Sequence, residues 1–332
     1  MKFKDNCFTL IRLICAFQVF YGHAFEAFGL PMNHILTSFL SMFRGVPIFF
    51  ALSGYLIWNS IKKDTRKNEY LRKRFFRLYP ELWIVVLFSI ISIIPFVKIN
   101  FIQFIAWIFA QCTLFQFWTP SFLRDYGVGT PNGSLWTITV FAQFYILVYF
   151  LKKLYLKNYD KKKVFLIPLI GLVINIVWIL LIRNNLPLIA DKLFRVTILP
   201  YVWIFGIGIV LCEYRETVVP YLTKLFPILM IGLFSLYYFN VFDFDVENYL
   251  LFRTVLSILF IFGLGYKFKK IRIEVDISYE FYLVHMVIIN LIIAAGKTSK
   301  SISILISFLL SIIFSYIIWI INHRICQKYL II

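Results

Sequence analysis

Apolar residues occur along the chain in long continuous runs separated by short polar connections. A membrane-spanning helix needs about 20 predominantly apolar residues, and each run is close to that length. The runs therefore predict helices that cross a bilayer rather than strands or surface helices. Eleven runs are present, at 8–27, 44–60, 78–97, 101–118, 133–151, 164–182, 196–212, 222–240, 249–266, 277–296 and 302–322.

Composition excludes a soluble protein. Of the 332 residues, 61% are hydrophobic and 15% are charged, and the mean hydropathy is +0.83. Ordinary globular chains carry about 25% charged residues. No connection is long enough to hold a soluble insertion. The sequence thus predicts an all-α polytopic membrane protein with a single integral-membrane domain over residues 1–332.

Basic residues indicate the orientation of the helices. If all eleven runs cross, starting with Lys2 and Lys4 in the cytoplasm, and Arg44 at the edge of its run is counted with the adjoining connection, the connections carry 16 basic residues inside and 15 outside. If 101–118 enters and returns on one side, the counts become 23 inside and 8 outside. Cytoplasmic loops are enriched in Lys and Arg, which favours the second arrangement. It gives ten crossings, cytoplasmic termini and a re-entrant or interfacial 101–118.

A re-entrant segment also predicts a cavity. Non-helical backbone at membrane depth is tolerated only where it is buried in protein or lines a cavity. We therefore expect a cavity near residues 98–135.

Charge and cysteine content exclude other classes. The net charge of +18 would indicate nucleic acid in a soluble chain, but in a membrane chain the positive-inside rule accounts for it. The five cysteines are scattered and have no metal-ligand spacing, so we expect neither metal nor disulfide. The first run contains Arg12 and lacks a small-residue cleavage site, so it does not predict a cleavable signal.

Ionisable residues inside spans are candidates for function. Arg12 and His23 lie 11 residues apart in the first run, which places them on one helix face about 16 Å apart along the axis. Arg12 could instead extend to the interface, and His23 could form an interhelical hydrogen bond. The shared face favours a functional role, with His23 as the catalytic candidate.

Two further candidates lie in YEFYLVH. His285 is near the middle of the ninth crossing, and Glu280 is near its cytoplasmic end. The five-residue offset puts them on different helix faces, so they do not form an obvious pair. Each of these two residues could bind substrate or cofactor. His285 could instead have a structural role.

Three motifs add polar candidates. RKRFFRLYP contains Arg74 and Arg77, which could bind a phosphorylated ligand through their guanidinium forks or anchor the helix at the cytoplasmic face. FFALSGYLIW contains Ser53, which is either a packing residue or a nucleophile lacking an identifiable base. Trp136 in SLWTITVFAQFYIL either contacts ligand or anchors the helix at the external interface.

The motifs together resemble the acyltransferase 3 family of integral-membrane acyltransferases, which includes bacterial O-antigen O-acetyltransferases. The resemblance rests on Arg12 and His23 in the first run, then FFALSGYLI, RKRFFRLYP, SLWTITVFAQFYIL and ISYEFYLVH, in that order over about residues 8–320. Phe141 departs from the pattern, because many members have Glu there in W-S-L-S-V-E. This difference bears on the prediction of the substrate subgroup more than on the prediction of the family.

The resemblance implies transfer of an acyl group, commonly acetyl, from cytoplasmic acyl-CoA to an extracytoplasmic or lipid-linked carbohydrate. It implies functional roles for Arg12 and His23, and for Arg74 and Arg77 as the arginine motif. We expect a stand-alone enzyme of a bacterial inner membrane, with no obligate protein partner and no nucleic acid. The alternatives are a transporter or flippase for a lipid-linked glycan, and a structural membrane subunit. An inverted repeat would favour the transporter, and none is visible.

The orientation predicts that the lysine-rich connection 152–163 is cytoplasmic. In a cysteine-free background, Lys157→Cys should resist a membrane-impermeant thiol reagent added to intact cells, whereas Asp245→Cys, on an expected external connection, should react. Efficient labelling at position 157 would show that 101–118 crosses after all.

Overall fold

The computed structural model of the chain describes residues 6–63, 67–157, 160–183, 187–239, 243–246, 249–296 and 299–330. Its α-helices in chain order are α1 Phe8–Ala27, α2 His34–Met42, α3 Gly45–Lys63, α4 Lys67–Ile93, α5 Phe101–Cys112, α6 Trp136–Lys157, α7 Leu166–Val177, α8 Leu188–Arg195, α9 Val202–Glu213, α10 Arg215–Tyr238, α11 Leu251–Lys267, α12 Ser278–Ala295 and α13 Lys300–Leu330. Two short strands, β1 Asp245–Val246 and β2 Tyr249–Leu250, pair antiparallel.

The architecture confirms the predicted fold class. Among the described residues, eight helices are long and apolar enough to cross a membrane, or nine if the pair Ile189–Arg195 and Leu199–Glu213, bent by 53°, is one span. The predicted crossing at 249–266 corresponds to α11, whose 17 residues are at the short end of the spanning range. Helix α5 has 12 residues, about 18 Å, which is too short to cross by itself.

Several predicted boundaries are wrong, because helices α2 and α8 lie in predicted connections and α4 begins well before its apolar run. The sequence placed the basic residues up to Arg77 in a connection, whereas α4 begins at Lys67 and holds them in helix. Lys and Arg have good helix propensity, and Glu69 pairs with Lys73 one turn later at 3.0 Å. Of the basic residues used for orientation, Lys2, Lys4, Arg66 and Lys297 lie outside the described residues.

The chain divides into two compact units. The first comprises Met1–Gln18, His34–Thr65 and Gln143–Val275, and the second comprises Val19–Asn33, Arg66–Ala142 and Asp276–Ile332. Helices α1 and α6 each contribute one part to each unit. Arg12 and Ser53 therefore belong to the first unit, and the other candidate residues belong to the second.

Close contacts through glycine define the packing of α3 on α9 in the first unit. A Cβ at Gly54 would lie 2.1 Å from the Phe205 carbonyl oxygen, and one at Gly208 would lie 1.9 Å from that of Ala51. Small residues let helix backbones approach this closely in membranes. At the end of the same pair, Glu213 accepts from Trp58 at 2.8 Å and from Lys62 at 3.0 Å.

Helix α12 is the centre of the second unit. It is the most buried of the candidate spans, and its apolar side chains pack with those of α4 and α13. Helix α13 contributes a row of buried serines spaced four residues apart, each donating to the carbonyl of the preceding turn. They are Ser303, Ser307, Ser311 and Ser315. This row presents small side chains for helix contact.

The irregular segment before α6 is hydrogen-bonded to α12. Asn290 donates to the carbonyls of Thr130 and Pro131 at 3.0 and 2.9 Å and accepts from the Val128 amide at 2.8 Å. Nearer the start of α12, Asn132 donates to the Leu283 carbonyl at 2.7 Å. Polar backbone groups of this non-helical segment are therefore paired by side chains of the protein.

Glycine at position 208 should be essential for the α3–α9 contact. Gly208→Ala should lower the free energy of unfolding by about 1–3 kcal/mol, the usual effect of overpacking, because its methyl group would meet the Ala51 carbonyl. Thermal unfolding in detergent measures this effect. Gly232→Ala is the matched control, since nothing lies within 4 Å of its added Cβ. Equal stability of the two variants would contradict the close packing.

Candidate functional site

Two histidines form a direct contact inside the second unit. His23 Nδ1 of α1 lies 3.0 Å from His285 Nε2 of α12. The two rings are nearly parallel, with an interplanar angle of 15° and centroids 5.2 Å apart. His285 is fully buried and His23 is half-buried. The structure thus joins two candidates that the sequence identified separately.

A backbone carbonyl fixes the tautomers of both rings. His285 Nδ1 lies 3.2 Å from the carbonyl oxygen of Phe281, and because a carbonyl only accepts, this nitrogen carries the proton. In a neutral ring the other nitrogen is then an acceptor, so His285 Nε2 accepts from His23 Nδ1. The network leaves His23 Nε2 with its lone pair available. An imidazole in this state can act as a general base.

Aromatic side chains enclose the pair. Phe20 and Tyr282 have ring centroids 6.3 and 5.8 Å from that of His285, and Phe281 stacks on it at an interplanar angle of 12°. Phe20 also contacts Phe281 and Phe308. This packing restricts the rotamers of His285 and keeps its second nitrogen directed at His23.

The start of α6 is tied to the helix that carries His285. Tyr282 donates from its hydroxyl to the Ser134 carbonyl at 3.1 Å, and Ser134 donates to the Tyr282 carbonyl at 3.3 Å. Thr137 lies 3.1 Å from the Tyr282 hydroxyl. The candidate Trp136 is half-buried in this same turn. The contact therefore places the SLWTITVF motif beside the turn of α12 that precedes His285.

A separate polar cavity of about 190 Å³ contains Glu280. Its lining comes from the middle of α4, the residues at and just before the beginning of α12, and the second half of α13: Arg77, Glu81, Asp276, Tyr279, Glu280, Trp319, Asn322 and His323. Glu280 interacts there with Glu81 and Arg77 rather than with His285. This arrangement agrees with the prediction that Glu280 and His285 occupy different faces.

The two arginines of the RKRFFRLYP motif have different surroundings. Arg77 lines the cavity and is exposed, whereas Arg74 is half-buried with its guanidinium 5.3 Å from the centre of the Tyr70 ring. One turn separates them on α4.

The first unit holds the remaining candidates. Arg12 is half-buried in α1 and donates to the Thr9 hydroxyl at 3.4 Å. Ser53 is half-buried in α3, directly before the tightly packed Gly54. Within the described part of the chain, no three His, Cys, Asp or Glu side chains converge in a way that would hold a metal ion.

Sequence reasoning missed several polar residues of the second unit. Glu81 follows Pro80 in a helix that the sequence describes as apolar, and its partner Glu280 is 199 positions away. Asn290 and Asn132 were likewise not identified, although both are fully buried and hydrogen-bonded. A polar residue inside an apolar run is the signal that could have indicated Glu81 and Asn290.

The family follows from comparison with known proteins. A sequence model described as an acyltransferase domain matches residues 5–320. The chain belongs to this acyltransferase family. The match confirms the resemblance inferred from the ordered motifs, and it covers the His pair and all of the cavity lining except Asn322 and His323. No solved structure matches the chain.

Three curated proteins similar to this family member have informative names. Nodulation protein 10 of Rhizobium leguminosarum bv. viciae is 25% identical over 218 residues, 61% of this chain and 58% of the relative. Peptidoglycan O-acetyltransferase OatA of Listeria monocytogenes is 26% identical over 280 residues, 75% of this chain and 45% of the relative. An O-acetyl transferase of Shigella phage Sf6 is 33% identical over 79 residues, 24% of each chain. The chain spans about half the length of the first two relatives.

Proposed function

We propose that this protein transfers an acyl group, acetyl in the first instance, from cytoplasmic acyl-CoA to a hydroxyl of an extracytoplasmic or lipid-linked carbohydrate. The observation that carries the proposal is the His23–His285 contact, whose hydrogen bonds assign the unprotonated state to His23 Nε2. Family membership supports acyl transfer, and the names of two relatives support O-acetylation.

His23 acts as the general base of the reaction. As the acceptor hydroxyl oxygen attacks the thioester carbonyl, its proton moves to His23 Nε2. The tetrahedral adduct then collapses, the C–S bond breaks, and the thiolate of coenzyme A takes the proton from His23. Each atom and proton is accounted for, and the histidine is regenerated without a covalent acyl-enzyme.

His285 acts as a positioning residue. It accepts from His23 Nδ1 and is held by the Phe281 carbonyl, so it keeps His23 in the tautomer that can accept a proton. The hydrogen bond also stabilises the imidazolium that forms when His23 is protonated, as a hydrogen-bond acceptor does for a catalytic histidine elsewhere.

The donor binds through arginines near the cytoplasmic face. Arg74 and Arg77 hold the phosphates of coenzyme A, which Arg recognises through paired N–H donors. In this proposal the protein lies in a bacterial inner membrane with both termini cytoplasmic, and the carbohydrate arrives from the opposite side.

Purified protein incubated with acetyl-labelled acetyl-CoA and candidate glycans tests the function. Label should appear on the glycan in an amount that depends on protein, and coenzyme A should be released in equal amount. Movement of a lipid-linked glycan across proteoliposomes without label transfer would instead establish the transporter.

Substitution of the histidines tests the base and its partner. His23→Ala should lower the transfer rate by about 10²–10⁴-fold, the contribution of a general base, while acyl-CoA binding persists. His285→Gln, which keeps an acceptor oxygen, should reduce the rate less than His285→Phe. Each rate is measured on monodisperse protein. A His23→Ala protein that retains more than about a tenth of the wild-type rate would exclude the base role.

Arginine substitutions test the donor site. Arg74→Ala and Arg77→Ala should raise the KM for acyl-CoA by about 10- to 150-fold, since a hydrogen bond to a charged group contributes about 1.5–3 kcal/mol. The effect at Arg77 should be the smaller, because Glu81 and Glu280 already interact with it. Unchanged KM values in both variants would show that these arginines do not bind acyl-CoA and serve only to orient the helix in the membrane.

A further inference from the structure

The cavity around Glu280 contains carboxylate oxygens without partners. Glu81 and Glu280 are 6% and 3% exposed, and the Oε2 atom of each is buried without a hydrogen bond. The Asn322 amide donates to the other oxygen of Glu81. Leaving a buried polar oxygen unsatisfied costs about 1–3 kcal/mol, and more if it is charged. The two carboxyl groups also interact with each other, and a ligand with several N–H donors would satisfy both buried oxygens.

The charge around these oxygens favours a cation. Glu81, Glu280 and Asp276 interact with one another and with Arg77. Three acidic groups thus share the lining with one arginine and one histidine. An isolated buried carboxylate takes up a proton unless it is paired with a positive charge, so a positively charged ligand would keep these groups ionised as acceptors.

The size and walls of the cavity favour an organic cation over a metal ion. The volume of about 190 Å³ is many times the roughly 10–15 Å³ that one water requires. In the described residues, no three acidic, His or Cys side chains have metal-binding geometry. Tyr279 and a stacked pair, Trp319 and His323 with centroids 5.0 Å apart, provide aromatic surface. Aromatic faces attract ammonium groups.

We propose that this cavity binds the primary ammonium group of a small organic amine, with Glu81 and Glu280 accepting its N–H donors. A primary ammonium has three donors, enough to reach both unpaired oxygens. The amine belongs either to a lipid head group such as ethanolamine or to a free soluble amine. The site shares Arg77 with the proposed donor site, but its binding of an amine does not depend on the role of His23.

Calorimetric titration of ethanolamine tests the site. The full-length protein is placed in phosphatidylglycerol nanodiscs at fixed ionic strength, with empty nanodiscs as the blank. Wild-type protein should bind ethanolamine, and Glu81→Gln and Glu280→Gln should each weaken binding by about 10- to 150-fold through loss of a charged hydrogen bond. Glu69→Gln, on the same helix but outside the cavity, should bind like wild type.

A second experiment, with lipids, identifies the source of the amine. Native mass spectrometry in equimolar phosphatidylethanolamine and phosphatidylglycerol should show glutamate-dependent retention of the ethanolamine lipid if the ligand is a head group. The ligand is instead a soluble amine if the protein retains both lipids equally and still binds ethanolamine in a glutamate-dependent way in the titration.

Three results would overturn the proposal, and two of them need only wild-type protein. The first is choline binding as tightly as ethanolamine, since choline lacks N–H donors. The second is sodium binding where ethanolamine does not. The third is the absence of any glutamate-dependent binding in either arm, which would show that the carboxyl groups merely share protons.

Discussion

Inside a bilayer, a polar group has no water to pair with, and every hydrogen bond must come from the protein or a ligand. This constraint acts most strongly on α12, which is buried along most of its length. Asn290 satisfies three backbone groups of the irregular segment before α6, and His285 joins the Phe281 carbonyl to His23. Because these side chains lie on one helix, the position of that segment and the direction of the histidine rings depend on the same element.

The sequence was sufficient to predict the long membrane helices, but it predicted neither the short helices α2 and α8 nor the contacts between helices. Apolar runs long enough to cross a membrane predict an all-α membrane fold, and α1, α12 and α13 are helices of this kind. The contact between His23 and His285 joins residues 262 positions apart, and helical periodicity describes only one helix at a time. Both residues could therefore be identified as candidates, while their hydrogen bond, and with it the tautomer of each ring, required the packing of α1 against α12.

The helix boundary at Lys67 illustrates a different limit. Positive-inside reasoning depends on where charges lie relative to the membrane and does not distinguish a loop from a helix that extends beyond the bilayer. Arg74 and Arg77 are helical, so the arginine motif is displayed on a rigid surface with a spacing of one turn. For phosphate recognition this matters, because a fixed spacing reduces the conformational entropy that binding must overcome.

The two polar clusters on α12 differ in one physical respect. In the histidine pair, three of the four ring nitrogens are engaged in hydrogen bonds within the protein, and only His23 Nε2 remains for a substrate. In the glutamate cavity, two buried oxygens lack partners. A site that is complete except for one lone pair is preorganised for proton transfer, since nothing else must rearrange when the substrate arrives. A site with two unsatisfied acceptors gains most of its stability only when a donor-rich ligand enters. The proposed catalytic site and the proposed binding site thus share one helix.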